Sequence, residues 1–168
     1  MEDNTPQPSS SLILDDQYFM REALRQAKLA FEEDEVPVGA VVVCKNRIVA
    51  RAHNQVEMLN DPTAHAEIIA ITQATNTISS KWLNDCVLYV TIEPCSMCAG
   101  AIVLARLKTL VFGAKDSKAG ACGSCINIAN HAGLNHRVSV IDGIYAQECG
   151  QLMSDFFKKK RVDRAKFN

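Results

Sequence analysis

The stretch that most constrains the fold is Cys86–Ile92, which reads CVLYVTI and is almost wholly apolar. A run of that kind has no polar face to turn to water, so it predicts a central strand buried on both sides. Helices must then cover it above and below, and the flanking sequence supplies them. Over residues 16 to about 34, Met20, Leu24, Ala27 and Phe31 recur at helical spacing, with Asp15 or Asp16 as N-cap. Two β-rich runs follow at 37–44 and 47–54, and Lys45-Asn46 between them suits a tight hairpin turn. A second helix is expected near Asp61-Pro62-Thr63. Either Asp61 caps it with Pro62 at the first helical position, or Thr63 caps it two residues later. Ala64, Ile68, Ile71, Ala74 and Ile78 form its expected buried stripe.

Pro94 is expected to open a third helix reaching about Arg106, with a short strand at Thr109–Ala114 and a glycine-rich loop at 115–124. A last strand at 137–141 and a final helix at 147–166, with Leu152, Phe156 and Phe157 inside, complete the pattern. Strands alternating with helices predict an α/β layered sheet. At 168 residues the chain is about one domain long, and such a domain buries roughly 70% of the surface its unfolded chain exposes. Residues 1–14, with two prolines and a Ser-Ser-Ser run, read as a mobile tail before a single domain at 15–168.

Charge and cysteine usage narrow the function. The formal net charge is −1, so any nucleic-acid contact must come from a local patch rather than a global positive field. The start of the chain lacks a basic segment followed by a long apolar one, and no 18 uninterrupted apolar residues occur. A cytoplasmic protein without a membrane span is the expectation. Seven cysteines are an odd number for a disulfide framework, and two C-x-x-C pairs, Cys95/Cys98 and Cys122/Cys125, point first to metal or redox chemistry. Cys44, Cys86 and Cys149 read as core residues.

Cys95 and Cys98 stand three apart on an expected helix, so they share a face and can bite one ion. The helix N-terminus favours their thiolate forms. His65 and Glu67 are two apart, about 200° around a helix, yet side chains of a first turn lean toward the N-terminus and can converge beyond the helix end. Two thiolates and one imidazole give zinc three protein ligands, which leaves a fourth position for water, the mark of a catalytic rather than a structural site. Glu67 is placed to handle protons there. Cys122 and Cys125 lie in the glycine-rich loop with no histidine–glutamate partner nearby, and loop packing is the expected role.

His65-Ala66-Glu67 together with Pro94-Cys95-x-x-Cys98 has the form H-x-E…P-C-x-x-C, the signature of zinc deaminases. Beyond it, VPVGAVVV (36–43), DPTAHAEI (61–68), EPCSMCAGAI (93–102), VFGAKDSKAGACGS (111–124), LNHRV (134–138) and LMSDFFKKKR (152–161) resemble the tRNA adenosine deaminase family from about residue 16 to 164. The resemblance implies a three-layer α/β/α cytidine-deaminase-like fold with a mixed five-stranded sheet, and a homodimer. It implies hydrolysis of the wobble adenosine of a tRNA anticodon to inosine, with one zinc ion per chain held by His65, Cys95 and Cys98 and with Glu67 as proton shuttle. It further implies that Asn54 hydrogen-bonds the flipped base, that the Ala66 backbone N–H lies close to its edge, and that Asp116 contacts a neighbouring nucleotide. The basic run Lys158 to Arg161, with Arg164 and Lys166, fits phosphates of an anticodon stem-loop. Two other classes stay open: a deaminase of a free base or nucleoside, and a zinc-stabilised RNA-binding module without chemistry. The first has no use for a phosphate-tracking helix; the second needs a fourth protein ligand and has no use for Glu67.

Overall fold

A computed structural model gives the protein's structure, with residues 14–166 described. Most of the tail expected at 1–14 lies outside those residues; Leu14 packs against the core. In chain order the strands are β1 (Gly39–Cys44), β2 (Arg47–His53), β3 (Cys86–Ile92), β4 (Thr109–Ala114) and β5 (Ser139–Asp142), and the helices are α1 (Asp16–Glu32), α2 (Val56–Leu59), α3 (Ala66–Ile78), α4 (Ser96–Leu104) and α5 (Ala146–Lys166). The apolar run becomes β3, the middle strand of one sheet ordered β2-β1-β3-β4-β5. The sheet is mixed. β1 runs antiparallel to both β2 and β3, while β3, β4 and β5 are parallel. Lys45 and Asn46 both take left-handed backbone angles, as a two-residue hairpin turn of matching twist requires.

Alternation along the strands sorts the core into two layers. Leu88, Val90, Leu110 and Phe112 face a cluster with α3 and α4, including Ala66, Ala70, Ala74 and Ile102. Tyr89, Val111, Val41 and Val43 face the opposite cluster, with Phe19, Met20 and Ala23 from α1 and Cys149 from α5. Burial on both faces is what a strand reading CVLYVTI demands. At Gly39 an added Cβ would stand 2.0 Å from the Ala23 carbonyl oxygen, so only glycine lets α1 lie this close to β1. Among the described residues, no helix is long and apolar enough to cross a membrane.

Several expectations change. The second long helix starts at Ala66, not near residues 61–63, because Asp61 forms a turn of its own. Its Oδ1 accepts from the Thr63 N–H at 2.8 Å and the Thr63 hydroxyl at 2.7 Å. The buried stripe is Ala66, Ala70 and Ala74, whose small side chains let the helix approach the sheet, with Ile68, Ile71 and Ile78 half-buried at its flanks. Pro94 precedes the third long helix, which begins at Ser96 with Cys95 as N-cap. The four-residue α2 is too short to leave a periodic signal. Phe157 is exposed rather than inside: adjacent helical residues point about 100° apart, and Phe156 takes the position against Phe31.

Candidate active site

The N-termini of α3 and α4 meet beside the ends of β2 and β3. His65 is the N-cap of α3 in extended conformation (φ −72°, ψ 152°), Cys95 the extended N-cap of α4, and Cys98 the third residue of α4. His65 Nδ1 lies 3.7 Å from Cys95 Sγ and 3.5 Å from Cys98 Sγ, and all three donor atoms fall within 4.8 Å of one another. A tetrahedral ion with bonds of about 2.3 Å to sulfur and 2.0 Å to nitrogen sets those atoms about 3.5 Å apart. The group therefore fits a metal ion, and among the described residues no fourth histidine, cysteine or carboxylate joins it. The expectation that His65 and Glu67 converge from within one helix is replaced by a simpler geometry. His65 sits outside the helix, so the angle between helical positions does not apply.

Electrostatics favour one thiolate of the pair, that of Cys95. Hydrogen bonding with Cys98 and then with His65 holds the Cys95 thiol down at about 3. The same contact with Cys95, together with burial, pushes Cys98 up, while the Cys95 contact raises His65 against its burial. Glu67, the second residue of α3, is 4% exposed, and burial lifts its carboxyl to about 7. His65, Glu67, Cys95, Asn54 and Asp116 line one cleft of about 990 Å³; Ala66 and Cys98 are buried behind its wall.

Two buried carboxylates that sequence reasoning passed over hold this cleft in shape. Glu35 accepts from the Asn54 side-chain amide at 3.0 Å and from the backbone N–H groups of Glu57 at 3.2 Å and Met58 at 2.7 Å. Glu93 accepts from the backbone N–H groups of Asp116, Cys122 and Ser124 at 3.0, 3.1 and 3.0 Å, and from the Ser124 hydroxyl. Burial alone would raise Glu93, but the Ser124 hydroxyl and these three N–H groups outweigh it and hold the carboxyl below its usual range. Gly120 must be glycine here, since a Cβ would come within 2.4 Å of both the Glu93 carboxyl carbon and the Asp116 carbonyl oxygen. The partners lie some 20 to 30 residues away in sequence, so only the charge of Glu93 just before Pro94 gave a local signal. Asp116 itself caps its loop, accepting from the Lys118 and Ala119 N–H groups at 2.9 and 3.1 Å. Cys122 is buried, with its thiol pushed up to about 12 by burial, and Cys125 is exposed; neither joins the three-donor group.

The basic helix end is not uniformly available. Lys159 and Lys160 both bind Asp34 at the end of α1, Lys158 faces Asp155 at 3.9 Å and Lys166 faces Asp163 at 3.6 Å. Among the described residues, Arg161 and Arg164 form no ion pair and line a second cleft, bounded by residues 33–36, α2 and α5, whose lining also carries Lys160, Glu33, Asp34, Glu57 and Asp163. Arg161 and Phe157 border both clefts.

A three-layer fold carrying a His-Cys-Cys group beside a buried glutamate defines the chain as a deaminase of the cytidine-deaminase-like class, and residues 14–161 match the family described as MafB19-like deaminase. A tRNA-specific adenosine deaminase from Aquifex aeolicus is 49% identical over 145 residues, 86% of this chain and 95% of that one. A structure from a study of A-to-I editing by tRNA:A34 deaminases at the wobble position of transfer RNA superposes with a TM-score of 0.78 at 42% identity, covering 80% of this chain and 98% of the other. A guanine deaminase from Bacillus subtilis gives 0.60 at 37% identity, covering 66% and 71%. The chain belongs to the tRNA-specific adenosine deaminase family.

Proposed function

We propose that this chain, as a single catalytic domain over residues 15–168, hydrolyses adenosine to inosine at the wobble position of a tRNA anticodon and releases ammonia. The observation that carries the reading is the three-donor group, with no fourth protein donor among the described residues, facing the same cleft as the buried Glu67. Three protein ligands are the arrangement of catalytic rather than structural zinc. His65, Cys95 and Cys98 would hold one zinc ion per chain, which would supply a bound water of lowered pKa near neutral pH.

Glu67 takes a proton from the attacking water and returns protons to the ring nitrogen and the departing amine, so that a C–O bond replaces the C–N bond. Asn54 hydrogen-bonds the base edge, the Ala66 N–H lies against it, and Asp116 meets a neighbouring nucleotide. Lys115, Lys118 and Arg161 on the cleft lining offer cations to flanking phosphates, beside the carboxylates Glu35, Glu57, Glu67, Glu93 and Asp116. The same reading includes a cytoplasmic location and a homodimer. Leu104, 80% exposed at the end of α4, is an apolar side chain that such an interface would cover.

The test is mass analysis of an anticodon stem-loop treated with the zinc-loaded protein. The expected product gains about 1 Da at the wobble position, as oxygen replaces the amine. Ammonia release from free guanine or cytosine with no change in the stem-loop would overturn the reading.

A further inference from the structure

Glu35 is the most deeply buried carboxylate of the described residues, at 1% exposure, and the chemistry above gives it no task. Its Oε1 accepts the Met58 N–H, and its Oε2 accepts the Glu57 N–H and the Asn54 Nδ2. Those two backbone donors are fixed, so they anchor the carboxylate in one place. An ionised carboxylate has no hydrogen to donate, whereas a side-chain amide has an accepting end and a donating end of nearly the same shape. Packing cannot tell the two ends of Asn54 apart. The charge of Glu35 can: only the NH2 end is attracted to it, so the carbonyl oxygen is turned away.

Both residues line the cleft that holds His65 and Glu67, and the Asn54 backbone N–H is tied to the Val38 carbonyl at 3.0 Å, which fixes the point from which the side chain reaches Glu35. We propose that Glu35 is a positioning residue that sets which end of the Asn54 amide meets the base. Through it, the cleft presents the Asn54 carbonyl oxygen and its remaining N–H in a fixed order, a pattern that matches a base edge with a donor beside an acceptor, as adenine carries at its 6-amino group and N7. This rests on the reading of Asn54 as a base contact.

Glu35→Gln is the informative change. The Met58 N–H, the shorter of the two backbone contacts at 2.7 Å, takes the Gln carbonyl oxygen, so the NH2 stands where Oε2 was, facing Asn54 and the Glu57 N–H, and draws the Asn54 carbonyl inward, reversing the amide. Zinc content and stem-loop affinity should stay near those of the parent, while Tm falls because the Glu57 N–H loses its acceptor. The single-turnover rate at saturating stem-loop should fall by about 10- to 100-fold, the effect of one misdirected hydrogen bond in a buried site. In an Asn54→Ala background the same change should alter the rate by less than about 3-fold, because residues acting through one contact are not additive. Fully additive losses, or an unchanged Glu35→Gln rate while Asn54→Ala is slow, would overturn the proposal and leave the Asn54 contact standing. An unchanged Asn54→Ala rate would remove that contact and this proposal together, while an absence of inosine from the parent protein would remove the proposed function as well. A measurement on the unaltered protein stands beside the variants: one Asn54 side-chain amide proton should exchange slowly with solvent, and fast exchange of both overturns the assignment.

Discussion

Replacing Arg161 and Arg164 with glutamine should flatten the salt dependence of stem-loop binding, whereas replacing Lys159 and Lys160 should not. The four residues are neighbours in one basic run, and the fold treats them differently. Lys159 Nζ stands 3.3 Å from Asp34 Oδ1, Lys160 binds the other oxygen, and the two ammonium groups lie 5.4 Å from the ring centres of Phe31 and Phe156. The Lys160 hydrogen bond, opposed by burial and joined by the Lys159 hydrogen bond, holds the Asp34 carboxyl below its ordinary value, so the pairing persists at neutral pH. A phosphate must displace that carboxylate to reach either lysine. Arg161 and Arg164 line the cleft bounded by residues 33–36, α2 and α5 and form no ion pair among the described residues, so no bound carboxylate has to leave them first. Each phosphate contact contributes about 0.7–0.9 to the slope of log affinity against log salt, so losing two removes about 1.4–1.8. Between about 50 and 200 mM salt, the parent should lose roughly 7- to 12-fold more affinity than the arginine double variant. Filter-binding or anisotropy titrations of an anticodon stem-loop at several salt concentrations measure the slopes directly. The lysine double variant should instead show a small drop in stability, about 0.2–1 kcal/mol for each exposed pair. A flattened slope for the lysine variant with a parental slope for the arginine variant would refute the reasoning.

Glu67→Gln keeps the shape of the side chain but cannot exchange a proton at neutral pH, so single-turnover inosine formation should fall by roughly 10²–10⁴-fold with zinc content and RNA affinity nearly intact. Metal analysis should find about one zinc per chain in the parent and in the Cys122→Ser, Cys125→Ser double variant, and most of it lost from Cys95→Ser. Burial, and then the 2.6 Å hydrogen bond to Asp16, raise the Tyr89 phenol above its ordinary value. The unfolded chain therefore releases this proton first as pH rises through about 10, so the stability tied to Tyr89 is intact below that pH and lost above it. Tyr89→Phe should shallow the alkaline limb of a Tm-against-pH profile, and an identical limb in both proteins would exclude this origin.

Much of this protein is written locally in its sequence. The run CVLYVTI could only be a doubly covered strand, Lys45-Asn46 could turn a hairpin, and His65, Glu67, Cys95 and Cys98 stand in spacings whose chemistry is legible because the members of each pair are within three residues of each other. Four features depend instead on tertiary structure. Whether Phe156 or Phe157 is buried depends on where α1 lies, not on the α5 sequence, since both rings have the same hydrophobicity. Which cations of the basic run remain unpaired depends on Asp34, more than a hundred residues earlier in the chain. The helix starts at Ala66 and Ser96 depend on extended N-cap conformations that bring His65 and Cys95 together from separate segments. Glu35 takes its meaning from backbone N–H groups of α2 and Glu93 from those of a distant loop, and an N–H group is the same in every residue but proline. A sequence records which groups are present and how near neighbours are spaced; burial and long-range hydrogen bonding exist only once the chain has closed on itself.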